Sequence, residues 1–166
     1  SKTIPAWPLV NPDPMAIQKP SIAPGGVDQK GTPIRVMIVD DSAVIRGVIR
    51  RILETNEEML TVASVGNGRQ AVEELRRHGD IDVVILDVEM PEMDGLTATA
   101  EIRRRGFTRG DGRPVTILAL SGYAVSTVET ACIAGGMDGF LPKPVGLKEI
   151  QKAVRQWLPA IGSRAA

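Results

Sequence analysis

The sequence predicts an α/β protein of three layers, a parallel sheet with helices packed on both faces. Two observations carry that expectation. From Ile34 onward, a short run rich in Val, Ile and Leu is followed by a turn and a stretch of helical spacing, five times over. Three of those runs (VMIV, VVIL and VTILAL) are almost continuously apolar instead of alternating, which suits strands covered on both sides.

Strands are expected over 34–40, 60–66, 81–87 and 115–121, with a shorter fifth over 138–141. The first helix has Ser42 as its cap and sets Val44, Ile45, Val48, Ile49, Ile52 and Leu53 on one broad face. A second spans about 69–78 with Ala71, Val72 and Leu75 inward, and a third about 96–105. The fourth, over 125–134, stops at Gly135 and Gly136, where glycine can take the left-handed turn that ends a helix. The fifth places Leu147, Ile150, Val154 and Leu158 on one stripe before Pro159. Right-handed crossovers join these units into a flavodoxin-like (βα)5 sandwich with strand order 2-1-3-4-5.

Composition narrows the function classes. The 166 residues hold 20 Lys plus Arg against 20 Asp plus Glu. That balance gives no basic field of the kind that draws nucleic acid or an anionic membrane surface, so no direct nucleic-acid partner is expected. Cys132 is the lone cysteine. It rules out a disulfide framework and suits a reducing, cytoplasmic setting. No apolar run approaches the roughly 18 residues that suggest a membrane span, and no cleavable signal peptide is visible. Seven of the 12 prolines fall within residues 1–33, where the apolar residues keep no period. That segment reads as a linker or tail, with a polyproline-type docking peptide around Pro5, Trp7 and Pro8 as the alternative. The organisation is then a tail over 1–33, one domain over 34–158 and a short end over 159–166. The chain opens on Ser1 instead of Met, which suggests a trimmed piece of a longer protein.

In an open parallel sheet, ligands sit outside the carboxyl ends of the strands, where strand order reverses. Strand one ends in Asp40 and Asp41, strand three in Asp87 and strand four in Ser121, while strand five leads through Pro142 into Lys143. The reversal between strands one and three makes the three aspartates neighbours. Carboxylates about 5 Å apart repel by about 3 kcal/mol per pair at an effective dielectric of 20, so cations must offset them. Lys143 supplies one charge, and a hard divalent ion, Mg²⁺ or Mn²⁺, can supply the remainder. A carboxylate beside such an ion, an ammonium and a hydroxyl has the parts for accepting a phosphoryl group, and Asp87 is the best-placed nucleophile. Taken singly, each residue also has a plain reading: Asp40 and Asp41 as helix caps, Asp87 and Ser121 as turn residues, Lys143 as a solvated side chain.

The segments IRVMIVDDS, VVILDVEMPEMDGL, ILALSG and GFLPKP resemble, in order and spacing, the signatures of the receiver domain of two-component response regulators. The resemblance implies that Asp87 is the phosphoacceptor and that Asp40 and Asp41 hold Mg²⁺, with the backbone carbonyl of Glu89 as a further ligand. It gives Ser121 as the hydroxyl that contacts the phosphoryl group, Lys143 as its ammonium partner and Phe140 as the aromatic switch residue. Phe140 departs from the Tyr frequent at that position, so a signal carried by a phenol hydrogen bond is absent. A receiver of this kind takes its phosphoryl group from a phosphohistidine on a histidine kinase or a histidine phosphotransfer protein. It assists its own phosphorylation and dephosphorylation without being a metabolic enzyme. The Lys143–Pro144 peptide bond is expected to be cis, from the tight turn that aims Lys143 over the site.

The first helix is wider in its apolar face than a core requires, which offers Val44, Ile45 and Val48 as a docking surface for a helical partner. His78 reads as a solvated helix end, Cys132 as a core residue, and Arg103, Arg104 and Arg105 as an exposed helix end suited to the helix dipole. An Asp-nucleophile phosphohydrolase is the rival class, but its D-x-D pattern after strand one is replaced by Asp40, Asp41, Ser42. The Pro-rich lead-in favours a receiver of a hybrid histidine kinase over a single-domain regulator. LDVEMPEMDGL together with DDSA also resembles the receivers of chemotaxis methylesterases.

Overall fold

A computed structural model describes residues 33–90, 93–123 and 126–157. The docking peptide considered at Pro5, Trp7 and Pro8, the remainder of 1–32, Val125, Leu158 and the 159–166 segment lie outside the described residues.

Five strands and five helices alternate: β1 (Ile34–Val39), α1 (Ala43–Glu54), β2 (Met59–Val65), α2 (Gly68–Arg77), β3 (Val83–Asp87), α3 (Gly95–Arg105), β4 (Thr116–Ser121), α4 (Ser126–Ala134), β5 (Gly139–Pro142) and α5 (Leu147–Trp157). The strands form one sheet in the order β2-β1-β3-β4-β5, and every neighbouring pair is parallel. Fold class and strand order are those the sequence predicts.

Successive side chains of a strand point to opposite faces, so the continuous apolar runs feed two cores. Met37, Val39, Val84, Leu86, Ile117 and Ala119 meet Ala71, Val72, Leu75, Ala98, Ile102 and Cys132, the inward residues of α2, α3 and α4. Val36, Ile38, Val83, Ile85, Leu118 and Leu120 meet Ile49, Leu53, Ile150 and Val154 of α1 and α5 on the other face. Each fully buried side chain of this kind contributes about 1.5–3 kcal/mol, which is why the central strands tolerate no polar residue until their ends.

The helices begin and stop where their caps dictate. Ser42, Asn67 and Asp94 each accept a backbone N–H three residues on, from Ile45, Gln70 and Thr97. Gly106 ends α3 at φ 73°, and Gly136 follows α4 at φ 105°, the left-handed conformation that glycine adopts without a Cβ penalty. The Lys143–Pro144 bond is cis, as the sequence led us to expect.

The reading of Arg103, Arg104 and Arg105 as an exposed helix end holds for Arg104 and needs correction for the other two. Arg103 turns inward. Its guanidinium donates to the carbonyls of Gly136 (3.0 Å) and Val115 (2.6 Å) and to Asp138 Oδ2 (2.8 Å), because the end of α3 lies against the starts of β4 and β5, where carbonyls await donors. Arg104 and Arg105 both pair at 2.6 Å with Glu101, whose side chain is buried within α3. Hydrogen bonds from Arg104, then Arg105, hold the Glu101 carboxyl below its ordinary range against the opposing effect of burial.

Candidate functional site

The polar residues withheld from the strand interiors collect where the chain leaves the sheet. Asp40 follows β1 and is fully buried, Asp87 closes β3 at 1% exposure, and Ser121 closes β4 with no exposure. One carboxylate oxygen from each of Asp40, Asp41 and Asp87 lies within 4.8 Å of the others. At that spacing each charged pair costs about 3 kcal/mol at an effective dielectric of 20.

Lys143, carried over the sheet edge by the turn after β5, answers part of that charge. Its Nζ lies 3.2 Å from Asp40 Oδ2 and 3.3 Å from Asp87 Oδ1. Burial disfavours the ammonium, but the bonds and charges of Asp40 and Asp87 outweigh it and raise the Lys143 pKa above that of an ordinary lysine. One cation does not neutralise three carboxylates. Burial first, and then the charge of Asp40, push the Asp87 pKa from 3.8 up to about 7. Asp40 Oδ1 accepts from Ser42 N at 2.8 Å, while its buried Oδ2 faces the Lys143 ammonium. A cluster of three carboxylates offering hard oxygen ligands, with one ammonium to offset their charge, fits a small divalent cation such as Mg²⁺.

Three residues contribute in ways the sequence reading missed. Arg46, about one turn into α1, donates from a guanidinium nitrogen to the Asp40 carbonyl at 2.7 Å and so fixes the peptide that joins the two aspartates. Gly95 opens α3 directly beneath the end of β3. A Cβ there would stand 2.5 Å from the Asp87 carbonyl oxygen and 2.8 Å from Val88 Cα, so only glycine allows the approach. Its place after Met93 and Asp94 was the available signal. Glu89 was considered for its backbone carbonyl alone, yet its side chain reaches across to β4: Ser121 Oγ donates to Glu89 Oε2 at 2.6 Å. Glu89 N donates to Asp87 Oδ1 at 3.1 Å.

Phe140 is half-buried against the α2–α3–α4 core, beside the site but not in contact with its carboxylates among the interactions described. On α1, Val44 and Val48 are exposed at 74% and 47%, whereas Ile45 packs partly against the core. His78 caps the end of α2 and pairs with Glu74 at 3.0 Å, on the far end from the aspartates. Cys132 is buried in the core.

The response regulator receiver domain family matches residues 36–155. The chain belongs to that family. Among curated relatives, the protein-glutamate methylesterase/protein-glutamine glutaminase of Azospirillum brasilense is 40% identical over 141 residues, which is 84% of this chain and 33% of the relative. A counterpart in Rhodospirillum rubrum is 63% identical over 75 residues, 45% of this chain and 19% of the relative. The chain therefore spans about a third or less of these relatives. Among solved structures, the receiver domain of a sensor histidine kinase from Pseudomonas aeruginosa, with a magnesium ion coordinated in its active-site cleft, superposes with a TM-score of 0.63 at 30% identity, covering 79% of this chain and 99% of that one. Among the described residues, no helix is long and apolar enough to cross a membrane.

Proposed function

We propose that this receiver, residues 34–158, takes a phosphoryl group from a phosphohistidine onto Asp87 with Mg²⁺ and passes the change to a partner surface. One observation carries the reading: a buried carboxylate at the end of the middle strand, held 3.3 Å from Lys143 Nζ and grouped with Asp40 and Asp41 within 4.8 Å. Both described hydrogen bonds to Asp87, from Glu89 N and Lys143 Nζ, fall on Oδ1. Oδ2 is accordingly the oxygen we assign to attack at phosphorus, forming the O–P bond as the P–N bond of the phosphohistidine breaks and the imidazole takes up a proton.

Asp40 and Asp41 through carboxylates, and Glu89 through its backbone carbonyl, would hold Mg²⁺, which supplies charge neutralisation for the aspartates and the incoming phosphoryl oxygens. Lys143 stays paired with Asp87 and contributes its ammonium to the same oxygens. Ser121 donates its hydroxyl once the phosphoryl group is in place, and Phe140 adjusts its burial as β4 and β5 tighten. Loss of the group by hydrolysis resets the chain.

The donor is a histidine kinase or a histidine phosphotransfer protein. Val44 and Val48, exposed on the first turns of α1 and adjacent in chain to Asp40 and Asp41, suit an amphipathic helix whose histidine then faces Asp87. The curated relatives support a longer protein of the methylesterase/glutaminase kind, with this receiver regulating a separate catalytic domain; a cytoplasmic setting is our reading from the lone Cys132. Their 40% identity over most of this chain favours that setting over the hybrid kinase that the Pro-rich lead-in suggested.

The test is Mg²⁺ binding followed by amide NMR, together with phosphorylation by a small phosphoryl donor, in wild type and Asp41→Ala. The variant should bind Mg²⁺ more weakly and react more slowly. Equal Mg²⁺ affinity in both proteins would remove Asp41 from the site.

A further inference from the structure

We propose that the Glu89 carboxylate is a built-in competitor for the Ser121 hydroxyl, one that holds the unmodified chain in its resting arrangement until a phosphoryl group takes the hydroxyl over. The inference rests on Asp87 being the phosphoacceptor. Its basis is proton counting. Ser121 Oγ donates to Glu89 Oε2 at 2.6 Å and accepts from Tyr123 N at 3.0 Å. The Tyr123 carbonyl, 3.5 Å from Oγ, is too distant to share the proton well. A serine hydroxyl has one proton to donate, so it serves either the Glu89 carboxylate or a phosphoryl oxygen on Asp87, never both.

The same carboxylate reaches the next residue: Gly122 N lies 3.4 Å from Glu89 Oε1. Glu89 thus holds the hydroxyl and the first amide of the turn after β4, while its own amide is bonded to Asp87 Oδ1 at 3.1 Å. One residue therefore links the acceptor carboxylate to the hydroxyl that must move. A phosphoryl group on Asp87 carries about 1.5–2 negative charges, by analogy with phosphorylated hydroxyls, where the carboxylate it replaces carried at most one, and the added repulsion two residues from Glu89 drives its carboxylate away as the hydroxyl changes partner. Glu89 is exposed, so the displaced carboxylate passes into water at little desolvation cost. The device is a bias on the switch and not a lock. It sets how much phosphoryl-dependent stabilisation is needed before the turn after β4 rearranges.

The experiment titrates beryllium trifluoride with Mg²⁺, a phosphoryl mimic on carboxylates, into the full chain and follows backbone amide resonances. Wild type is compared with Glu89→Gln, Glu89→Ala, Ser121→Ala and the Glu89→Ala/Ser121→Ala double variant. Losing a hydrogen bond to a charged group should let Glu89→Ala reach half-saturation at about tenfold lower mimic, the factor carried by 1.4 kcal/mol, with Glu89→Gln between it and wild type. In the Ser121→Ala background the same change should have less than about a twofold effect, since the bond it removes is already gone. Equal half-saturation in wild type and Glu89→Ala overturns the proposal, as does an undiminished effect without Ser121. The mimic-free spectra test the resting bond separately: Ser121, Gly122 and Tyr123 amides must shift in Glu89→Ala, and unmoved resonances overturn it. A wild type that shows no saturable response removable by Asp87→Asn faults the acceptor assignment instead, and leaves the mimic-free comparison to decide on Glu89.

Discussion

Replacing Asp87 by Asn should stabilise the fold at alkaline pH when no divalent ion is present. Burial and the neighbouring Asp40 raise the Asp87 pKa from 3.8 to about 7, so between those values the folded chain keeps a proton that the unfolded chain has released. The contribution of this group to stability is intact below pH 3.8, falls as pH rises towards 7 and is level beyond. A difference of about three pH units is worth about 4 kcal/mol at 1.36 kcal/mol per unit, and we take about 2–4 kcal/mol because exposed Asp41 opens the cluster to solvent screening. Asn is neutral throughout and keeps an oxygen for the Glu89 amide, so it escapes the penalty. The assay is urea unfolding of wild type and variant from pH 4.5 to 8.5 in chelator. The variant should gain on wild type across the range and lead by about 2–4 kcal/mol at pH 8, and millimolar Mg²⁺ should narrow that lead by stabilising wild type. A difference that does not vary with pH, or a wild type more stable than the variant at pH 8, would refute the electrostatic reasoning.

Other predictions follow from packing and bonding. Gly95→Ala sets a methyl 2.5 Å from the Asp87 carbonyl oxygen; it should cost about 2 kcal/mol or more in urea unfolding and slow Mg²⁺-dependent phosphorylation, and an unchanged midpoint and rate would show that the close approach is relaxed elsewhere. Arg103→Met keeps the apolar stem but loses the bonds to Gly136, Val115 and Asp138; a loss of about 2–3 kcal/mol is expected, and one below about 0.5 kcal/mol would return Arg103 to the role of a solvated helix end. Deleting residues 1–32 should leave the melting temperature within about 2 °C, since that segment carries no periodic element to pack, and a drop of about ten degrees would place part of it on the domain.

The sequence carried the sheet almost whole because buried parallel strands leave little choice of residue. VVIL over 83–86 and TILAL over 116–120 lack polar residues beyond Thr116, and their first charged or hydroxyl-bearing successors, Asp87 and Ser121, mark where the strands meet the site. Helix ends were legible where a cap spells them, as at Ser42 and Gly136. What escaped was tertiary and set by long side chains. Nothing in the order Ile102, Arg103, Arg104, Arg105 tells which arginine folds back onto Val115 and Asp138 and which bends along its own helix to Glu101. Arg109 was missed for the same reason. It is 3% exposed in the loop after α3, bonded to Asp111 and reaching Thr116 and the Trp157 carbonyl, although its neighbours Gly110, Asp111 and Gly112 are residue types usual in exposed turns. Glu89 likewise needed the structure, since the distance from its carboxylate to Ser121 depends on how β3 and β4 are registered, with Asp87 opposite Leu120.

The central claim is that Asp87 accepts a phosphoryl group through this cluster, and intact-mass measurement tests it most directly. Wild type, Asp87→Asn and Lys143→Ala are incubated with a small phosphoryl donor, with and without Mg²⁺, and the modified peptide is mapped. The account predicts one added phosphoryl group on wild type, dependent on Mg²⁺ and located on Asp87, none on Asp87→Asn and slower uptake on Lys143→Ala. An Asp87→Asn protein that gains phosphate as readily as wild type, or a wild type that gains none with Mg²⁺ and either a small donor or a cognate kinase, would contradict it.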